Sequence, residues 1–242
     1  MIDIHCHLLP GIDDGPPALD AALALARAMV SDGITHAVCT PHVFPGRFDN
    51  RRSTIGLEFA RFAAAVREAR IPLRLNWAGE VRLSPEVLEL IHRREIPFLG
   101  EVDSHYMMLL EMPDGQVPIG ALAFVERLLS QGVRPVIVHP ERNRGVMERV
   151  DKLRAFVEEG CLIQLTAGSL VGQFGAKAQR VAHQLVDVGW AHAVASDAHN
   201  LTGRKPMMTE ARNYLTQHWG AVKARTLTYF APAAMCGLVV PR

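Results

Sequence analysis

The sequence predicts an α/β fold: a parallel sheet with helices on its outer side, built from about seven strand–helix units and closed or distorted into a barrel. Three observations predict it. Strand-like and helix-like stretches alternate along all 242 residues. Their connections are short, with no linker, internal repeat or composition break. Residues of metal-ligand type recur just after many successive strands. A barrel gathers all its strand ends around one mouth, whereas an open sheet concentrates them at one switch point. The same continuity predicts a single domain over residues 1–242.

The elements follow in order. The apolar run 1–4 opens the first strand. His5 and His7 at its end stand two apart, so a strand's period of two points both imidazoles to one side. Pro16 and Pro17 open a helix whose apolar positions Leu19, Leu23, Ala26 and Val30 have helical spacing, and Gly33 ends it. Residues 34–40 read as a second strand, followed by Pro41-His42 and a loop rich in Gly, Arg, Asp and Asn. Ser53 is a candidate cap for a helix to residue 69, with Ile55, Phe59, Phe62 and Val66 on one face. A third strand over 72–78 runs into Gly79-Glu80, and Ser84-Pro85-Glu86 starts a short helix. Residues 106–110 form a strand ending at Glu111, before a helix over 119–131. The strand 134–138 delivers His139-Pro140-Glu141-Arg142, followed by a helix over 147–159. Strand 162–165, helix 176–188 and strand 191–195 lead into Ser196-Asp197-Ala198-His199. Helices finish the chain, broken near Pro232.

Composition excludes several functions. The formal net charge is +1, so there is no basic excess to pair with a phosphate backbone, and no nucleic-acid partner is expected. No apolar run is as long as a membrane span. The longest candidate, 18–30, is broken by Asp20 and Arg27, so no membrane insertion is expected. Cys6, Cys39, Cys161 and Cys236 are far apart and never in C-x-x-C spacing, which suggests neither a disulfide framework nor a zinc ribbon. With the first strand starting at Met1, no signal peptide precedes it, and a reducing cytoplasm is the expected compartment.

His5, His7, Asp14, His42, Glu80, Glu111, His139, Asp197 and His199 each stand at, or just after, the C-terminal end of a predicted strand. Singly, each suits a structural or surface role. Together, at the mouth of a barrel, they point to a shared metal site. Five imidazoles and four carboxylates exceed what one tetrahedral ion takes, so two or three metals are expected. Nitrogen and oxygen donors without thiolate suit Mn²⁺, Fe or Zn²⁺ and disfavour copper or an iron–sulfur cluster. Arg142 lies three residues after His139 and Arg204 five after His199, in loops at the same mouth. A planar guanidinium binds a phosphoryl group bidentately, so the pair favours phosphoester chemistry over amides or lactones. Loop solvation in an Arg-rich chain is the bland alternative. Asp13 and Glu141 read as partners that orient neighbouring ligands. His36, His92, His105, His183, His192 and His218 read as structural.

The segments HCHLLPGIDDG, TPHVFPG, GEVRLS, LLEMP, VIVHPER and SDAHNLTGR resemble, in order and spacing, the PHP (polymerase and histidinol phosphatase) superfamily. More closely, they resemble its bacterial manganese-dependent protein-tyrosine phosphatases of capsule and exopolysaccharide loci. The resemblance runs from Met1 to about Arg204. It implies a distorted (β/α)7 barrel and three divalent metals, manganese first, with iron or zinc as alternatives. By analogy, His5, His7, Glu80 and Asp197 hold one metal. Glu80 bridges to a second, held also by Glu111 and His139. Asp14, His42 and His199 hold the third. Arg142 and Arg204 match the family's phosphate-binding arginines. The implied reaction is in-line attack of a metal-activated hydroxide on phosphotyrosine, and the implied substrate is a membrane-anchored bacterial tyrosine autokinase. Cys6 stands where Ser or another small residue is expected. Strand geometry points it away from the ligands, so it is not read as a nucleophile.

Four other readings share some of these features. A cysteine phosphatase would need C-x5-R on a phosphate-cradling loop, and the one match, Cys236 to Arg242, lies at the last residue with no helix after it. An amidohydrolase of the carbamylated-lysine type lacks its lysine: Lys152, Lys177, Lys205 and Lys223 are none of them at a middle strand end. Histidinol-phosphate phosphatase shares the metal logic and differs in substrate: its cationic imidazole and amine would favour an acidic pocket, whereas the loop 43–52, VFPGRFDNRR, is more basic than acidic and suits an anionic phosphopeptide. A non-catalytic scaffold would have lost ligands, and all nine positions are filled.

Overall fold

The computed structural model describes residues 1–238. β1 (Ile2–Cys6) is buried throughout and is followed by α1 (Leu19–Ser31). β2 (His36–Cys39) is interrupted at Thr40-Pro41 and resumes as β3 (His42–Val43) before α2 (Arg52–Glu68). β4 (Arg74–Trp77) is likewise interrupted at Ala78-Gly79 and resumes as β5 (Glu80–Arg82), then α3 (Glu86–His92). β6 (Gly100–Val102), β7 (His105–Glu111), α4 (Ala121–Ser130) and β8 (Val133–Val138) follow. After β8 come α5 (Arg144–Glu148), a 3₁₀ turn, α6 (Arg154–Glu158), β9 (Leu162–Thr166), α7 (Ala167–Leu170), α8 (Ala176–Asp187) and β10 (Ala193–Ala195). The chain ends in α9 (Met208–Arg225), a π-helical turn and α10 (Ala231–Met235).

All strand pairs are parallel except β6, which lies antiparallel on β7. The ladder divides into two sheets, β1-β2-β4 and β10-β9-β8-β7-β5-β3. The two interruptions explain the division. β2 pairs with β4 from His36↔Arg74 to Cys39↔Trp77, and beyond the breaks β3 pairs with β5 at His42↔Glu80. Pro41 has no N–H to give to a ladder. Gly79 leaves no room for a side chain, since a Cβ there would lie 2.8 Å from Pro97 Cγ and 2.9 Å from Val43 Cγ2. At the other seam β1 meets β10 through one bridge, Cys6 with Ala198. Two backbone bonds flank it, Asp197 N–H to the His5 carbonyl (2.8 Å) and His7 N–H to the Ala198 carbonyl (2.9 Å). Asp3 stitches this seam: its buried carboxylate accepts from the Ser196 N–H (2.9 Å) and hydroxyl (2.5 Å). Burial pushes the Asp3 carboxyl up to about 6, against those hydrogen bonds. The barrel expected from sequence is thus present in its strand order and distorted at these seams, rather than one continuous closed ladder.

Both faces of the strands are buried, as a parallel sheet under helices requires. Ile2, Ile4, Met107, Leu109, Val136, Val138, Ala193 and Ala195 alternate along their strands into one cluster, which Ala233 and Met235 of α10 complete. The intervening Met108, Leu110, Ile137, Ile163, Leu165 and Val194 pack into the larger cluster with the outer helices.

Several expectations need correction. Ser53 does not cap α2; Arg51 is the cap residue, and the Thr54 hydroxyl accepts from its N–H at 2.9 Å. Ser53 instead donates to Glu95. The helix expected over 147–159 is broken into α5, a 3₁₀ turn and α6, because Arg149 has extended backbone. The final helices break at Gly220 (φ 84°), whereas Pro232 is accommodated in the first turn of α10, where its missing N–H costs nothing.

Candidate metal centre

Each of the nine residues reaches the site from the C-terminal side of a strand. His5 is on β1, where pairing with β2 shifts register between Asp3 and Cys6; such irregularities re-aim side chains beside functional sites. His7 follows β1. His42 and Glu80 are register partners of β3 and β5, and Arg82 and Glu111 are partners of β5 and β7. His139 directly follows β8 and Asp197 lies two residues past β10, with φ of 36° and 51°. A left-handed backbone costs an L-residue roughly 1–2 kcal/mol, a strain that concentrates where side-chain aim matters.

The side chains converge. Glu80 Oε2 lies 3.3 Å from His5 Nε2, 3.2 Å from His7 Nε2 and 3.0 Å from His42 Nδ1, while Oε1 lies 2.6 Å from His139 Nε2. Asp197 Oδ1 is 3.5 Å from both His5 Nε2 and His7 Nε2. Asp14 Oδ1 is 3.3 Å from His42 Nε2 and 3.2 Å from His199 Nε2. Glu111 Oε2 stands 3.9 Å from His42 Nδ1. Three sets have ligand atoms close enough to share an ion: His7-Asp14-His42-His199, His5-His7-Glu80 and His42-Glu80-Glu111. Three of the four residues expected around His5 fall in one set, Asp197 standing 3.5 Å from both imidazoles outside it, and Asp14, His42 and His199 share a set with His7. In the middle set, Glu111 groups with Glu80 and His42, and His139 meets Glu80 on its other oxygen.

Buried polar atoms ordinarily find a partner. Here Glu80 Oε2, Glu111 Oε2, Asp197 Oδ1, His42 Nδ1 and His199 Nε2 are buried without a hydrogen bond, and all belong to this cluster. Unshared lone pairs on carboxylates and imidazoles aimed at common points fit divalent metal ions. Arg142 and Arg204 both bind Asp197 Oδ2, at 2.5 and 2.7 Å, and both line a cavity of about 380 Å³ above the cluster.

The profile of the family described as capsular polysaccharide synthesis, CpsB/CapC, matches residues 1–236. The chain belongs to this family. Among CpsB/CapC relatives, tyrosine-protein phosphatase YwqE of Bacillus subtilis is 36% identical over 94% of this chain and 89% of its own length. The putative tyrosine-protein phosphatase CapC of Staphylococcus aureus is 32% identical over 88% of this chain and 82% of its own. A crystal structure from work on YwqE and Streptococcus pneumoniae CpsB, described as unique metal-dependent tyrosine phosphatases, superposes with a TM-score of 0.91 at 33% identity, covering 100% of this chain and 97% of the other. A Deinococcus radiodurans organophosphorus hydrolase variant (TM-score 0.60, 17% identity, 98% of this chain and 92% of that one) shares the fold alone.

In this CpsB/CapC chain, residues outside the nine orient the ligands. Asp13 accepts from His7 Nδ1 (2.7 Å) and from the His42 and Gly15 N–H groups (3.1 and 2.9 Å). Its expected orienting role is thereby realised. Glu141 is not on a ligand; it accepts from the Thr166 N–H at 2.9 Å. Gln164 of β9 was missed by sequence reading. Its Oε1 accepts from His5 Nδ1 at 2.8 Å, freeing Nε2 for the cluster. The available signal was a buried Gln inside the apolar strand LIQLT. Cys6 points away as expected, its thiol on the Val38 carbonyl.

Gly15 sits so close to β1 that a Cβ would lie 2.7 Å from the His7 carbonyl oxygen. Gly15→Ala is expected to displace the Asp13-Asp14 loop and lower kcat/KM on an aryl phosphate about tenfold, the scale of losing a ligand-orienting partner. Unchanged kinetics would show that the loop does not position Asp14.

The protonation pattern couples metal loading to pH. Burial opposes ionisation of Glu80, but His5 and His42 hold it well below the usual carboxylate range. Burial also opposes ionisation of Asp197, and Arg142 and then His5 override it. Burial and the Glu80 charge push Glu111 up to about 7. Burial and Arg142 bring His139 down to about 4, and burial with His7 brings His199 down to about 4, leaving both neutral. His42 moves the other way: burial lowers it, but Glu80 and the Asp14 hydrogen bond raise it to about 10. Burial lowers His7 as well, but the Asp13 carboxylate raises it well above the usual imidazole range, so at pH 7 His7, His42 and part of Glu111 hold protons that a cation must displace, and Mn²⁺ affinity should rise with pH from about 6 towards 10. Calorimetric titrations in buffers of different ionisation heat should report release of roughly two to three protons per chain. Zero release would contradict the pattern.

Proposed function

We propose that this chain is a metal-dependent protein-tyrosine phosphatase acting in the regulation of capsular or exopolysaccharide synthesis. The observation that carries it is the set of buried, unpartnered ligand atoms beneath a cavity that Arg142 and Arg204 also line. The relatives named above, described as tyrosine phosphatases and in one case as metal-dependent, support the same reading. The reading takes residues 1–242 as one domain and the cytoplasm as its compartment. Three ions, manganese first, would be held by His5, His7, Glu80 and Asp197; by Glu80, Glu111 and His139; and by Asp14, His42 and His199. When bound, divalent ions supply hydroxide near neutral pH and neutralise phosphoryl oxygens. The chain's own residues do the rest. Arg142 and Arg204 hold the phosphoryl oxygens as charge builds on them. Asp13 and Gln164 keep His7 and His5 in the tautomers that turn Nε2 to the site. A phenolate leaving group, with a pKa of about 10, needs less protonation than an alkoxide, which suits a site without a strong general acid. A tyrosine autokinase of the same locus is the substrate this reading favours.

A cysteine mechanism has no support. Burial pushes the Cys236 thiol up to about 12, the wrong direction for a nucleophile, and Arg242 lies outside the described residues. The deciding experiment offers the purified protein a phosphotyrosine peptide, a phosphoserine peptide and histidinol phosphate, each with and without Mn²⁺. The expected result is Mn²⁺-dependent preference for phosphotyrosine. A clear preference for histidinol phosphate would overturn it.

A further inference from the structure

The cavity above the cluster has a built rim on one side. Phe44-Pro45-Gly46-Arg47 is a tight turn: the Arg47 N–H reaches the Phe44 carbonyl at 3.0 Å, Pro45 stands at its second position, and Gly46 has φ 82° at its third. Phe44 and Phe48 then pair across the turn through two backbone bonds of 2.9 and 2.8 Å. The Asp49 carboxylate closes on the Gly46 N–H at 2.8 Å. Asn50 ties the base to the Ile12 and His42 carbonyls, both at 2.9 Å. The finger is therefore anchored to the two segments that carry Asp14 and His42, and the Phe48 ring stacks on His42 at 5.4 Å and 7°.

This finger presents one uncommitted cation. Arg142 and Arg204 pair with Asp197 and are assigned to the phosphoryl group itself, and Arg82 pairs with Glu111 at 3.0 Å while covering Phe44 at 5.0 Å. Arg47 is exposed, lines the cavity and makes no ion pair among the described residues. Its guanidinium rests over Phe48 at 5.2 Å and Phe44 at 5.9 Å. Aromatic faces restrict a guanidinium while leaving its N–H edges open to an anion. The acidic neighbours do not quench it: Asp49 is occupied by Gly46, and Asp114 lies 3.8 Å from Arg82.

Resting on the phosphotyrosine reading, we infer that the 44–48 finger is a substrate-reading element: Arg47 selects phosphotyrosine peptides with acidic residues next to the phosphotyrosine. Arg47 touches no reacting atom in this scheme. It sets which sequence is held over the cluster.

The test uses three phosphotyrosine peptides of equal length with acidic, neutral or basic neighbours, assayed with the Mn²⁺-loaded full chain. The wild type should show about a fivefold higher kcat/KM on the acidic than on the neutral peptide, carried by KM and shrinking as salt is raised. Arg47→Ala should bring that ratio to about one, Arg47→Glu should invert it towards the basic peptide, and Arg47→Lys should restore part of it. A wild-type ratio of one, or a ratio that Arg47→Glu leaves intact, would overturn the inference while leaving the phosphotyrosine reading standing. Failure of the wild type to hydrolyse any of the three peptides, with histidinol phosphate turned over, would overturn both. Melting temperatures within about 3 °C of wild type would show that the exposed substitutions leave the fold intact.

Discussion

Glu80→Gln should reduce turnover of an aryl phosphate at saturating Mn²⁺ by at least about a thousandfold, well beyond the 10–100-fold typical of a group that only orients a ligand. Glu80 is the hub of the site. Its two oxygens lie within 3.3 Å of His5, His7, His42 and His139, and no other carboxylate meets as many imidazoles among the described residues. An amide keeps the volume but loses the charge and one lone-pair oxygen. His5 and His42 then lose the anion that favours their charged forms, and any shared cation loses its bridge. Metal content per chain, measured alongside kcat, separates lost binding from lost chemistry. Near-wild-type turnover with full metal occupancy would remove Glu80 from the mechanism. Arg142→Ala should cost less, because Arg204 shares the same Asp197 oxygen and the same cavity.

Chelation should lower the melting temperature on the order of 15 °C. A ligand at a hundred times its dissociation constant contributes about 2.7 kcal/mol per site, and a chain of this size shifts about 2–4 °C per kcal/mol. Two or three occupied sites reach the stated scale. The physical reason is the repulsion held in the cluster: Glu80 and Glu111 share His42 as a neighbour, and burial with the Glu80 charge raises Glu111 to about 7. A cation relieves that repulsion; protons do so only in part at neutral pH. Thermal unfolding with excess Mn²⁺, then with chelator, then with Mn²⁺ restored should show a reversible shift. A chelator-treated protein that melts at the same temperature as the Mn²⁺ form would show that the unpartnered atoms do not bind metal tightly.

The two results bear on how much of the site is written in residue order. Strand ends were legible because short apolar runs stop at polar residues, and in a barrel that single rule places His5, Glu80, Glu111, His139 and Asp197 around one mouth. The association of Asp14 with His42 and His199, implied by family resemblance, is matched in space at 3.3 and 3.2 Å. The loop 43–52 was legible as a basic, substrate-facing stretch, whereas Gln164 and Arg82 were not legible as site elements. Each owes its place to a partner distant in sequence. Gln164 is 159 residues from His5, and Arg82 meets Glu111 only because β5 and β7 pair in that register.

The sequence by itself determined the class of fold, the donor types and which side of the sheet they occupy. Those follow from local periodicity, from chemistry carried by single side chains and from the rule that loops after parallel strands share one end. Only the tertiary structure decided which donors face one another. The breaks at Thr40-Pro41 and Ala78-Gly79 put His42 opposite Glu80, and the left-handed backbone at His139 and Asp197 aims both inward. Registers, seams and strained torsions are set by how both buried faces pack at once, and that balance is a property of the whole barrel.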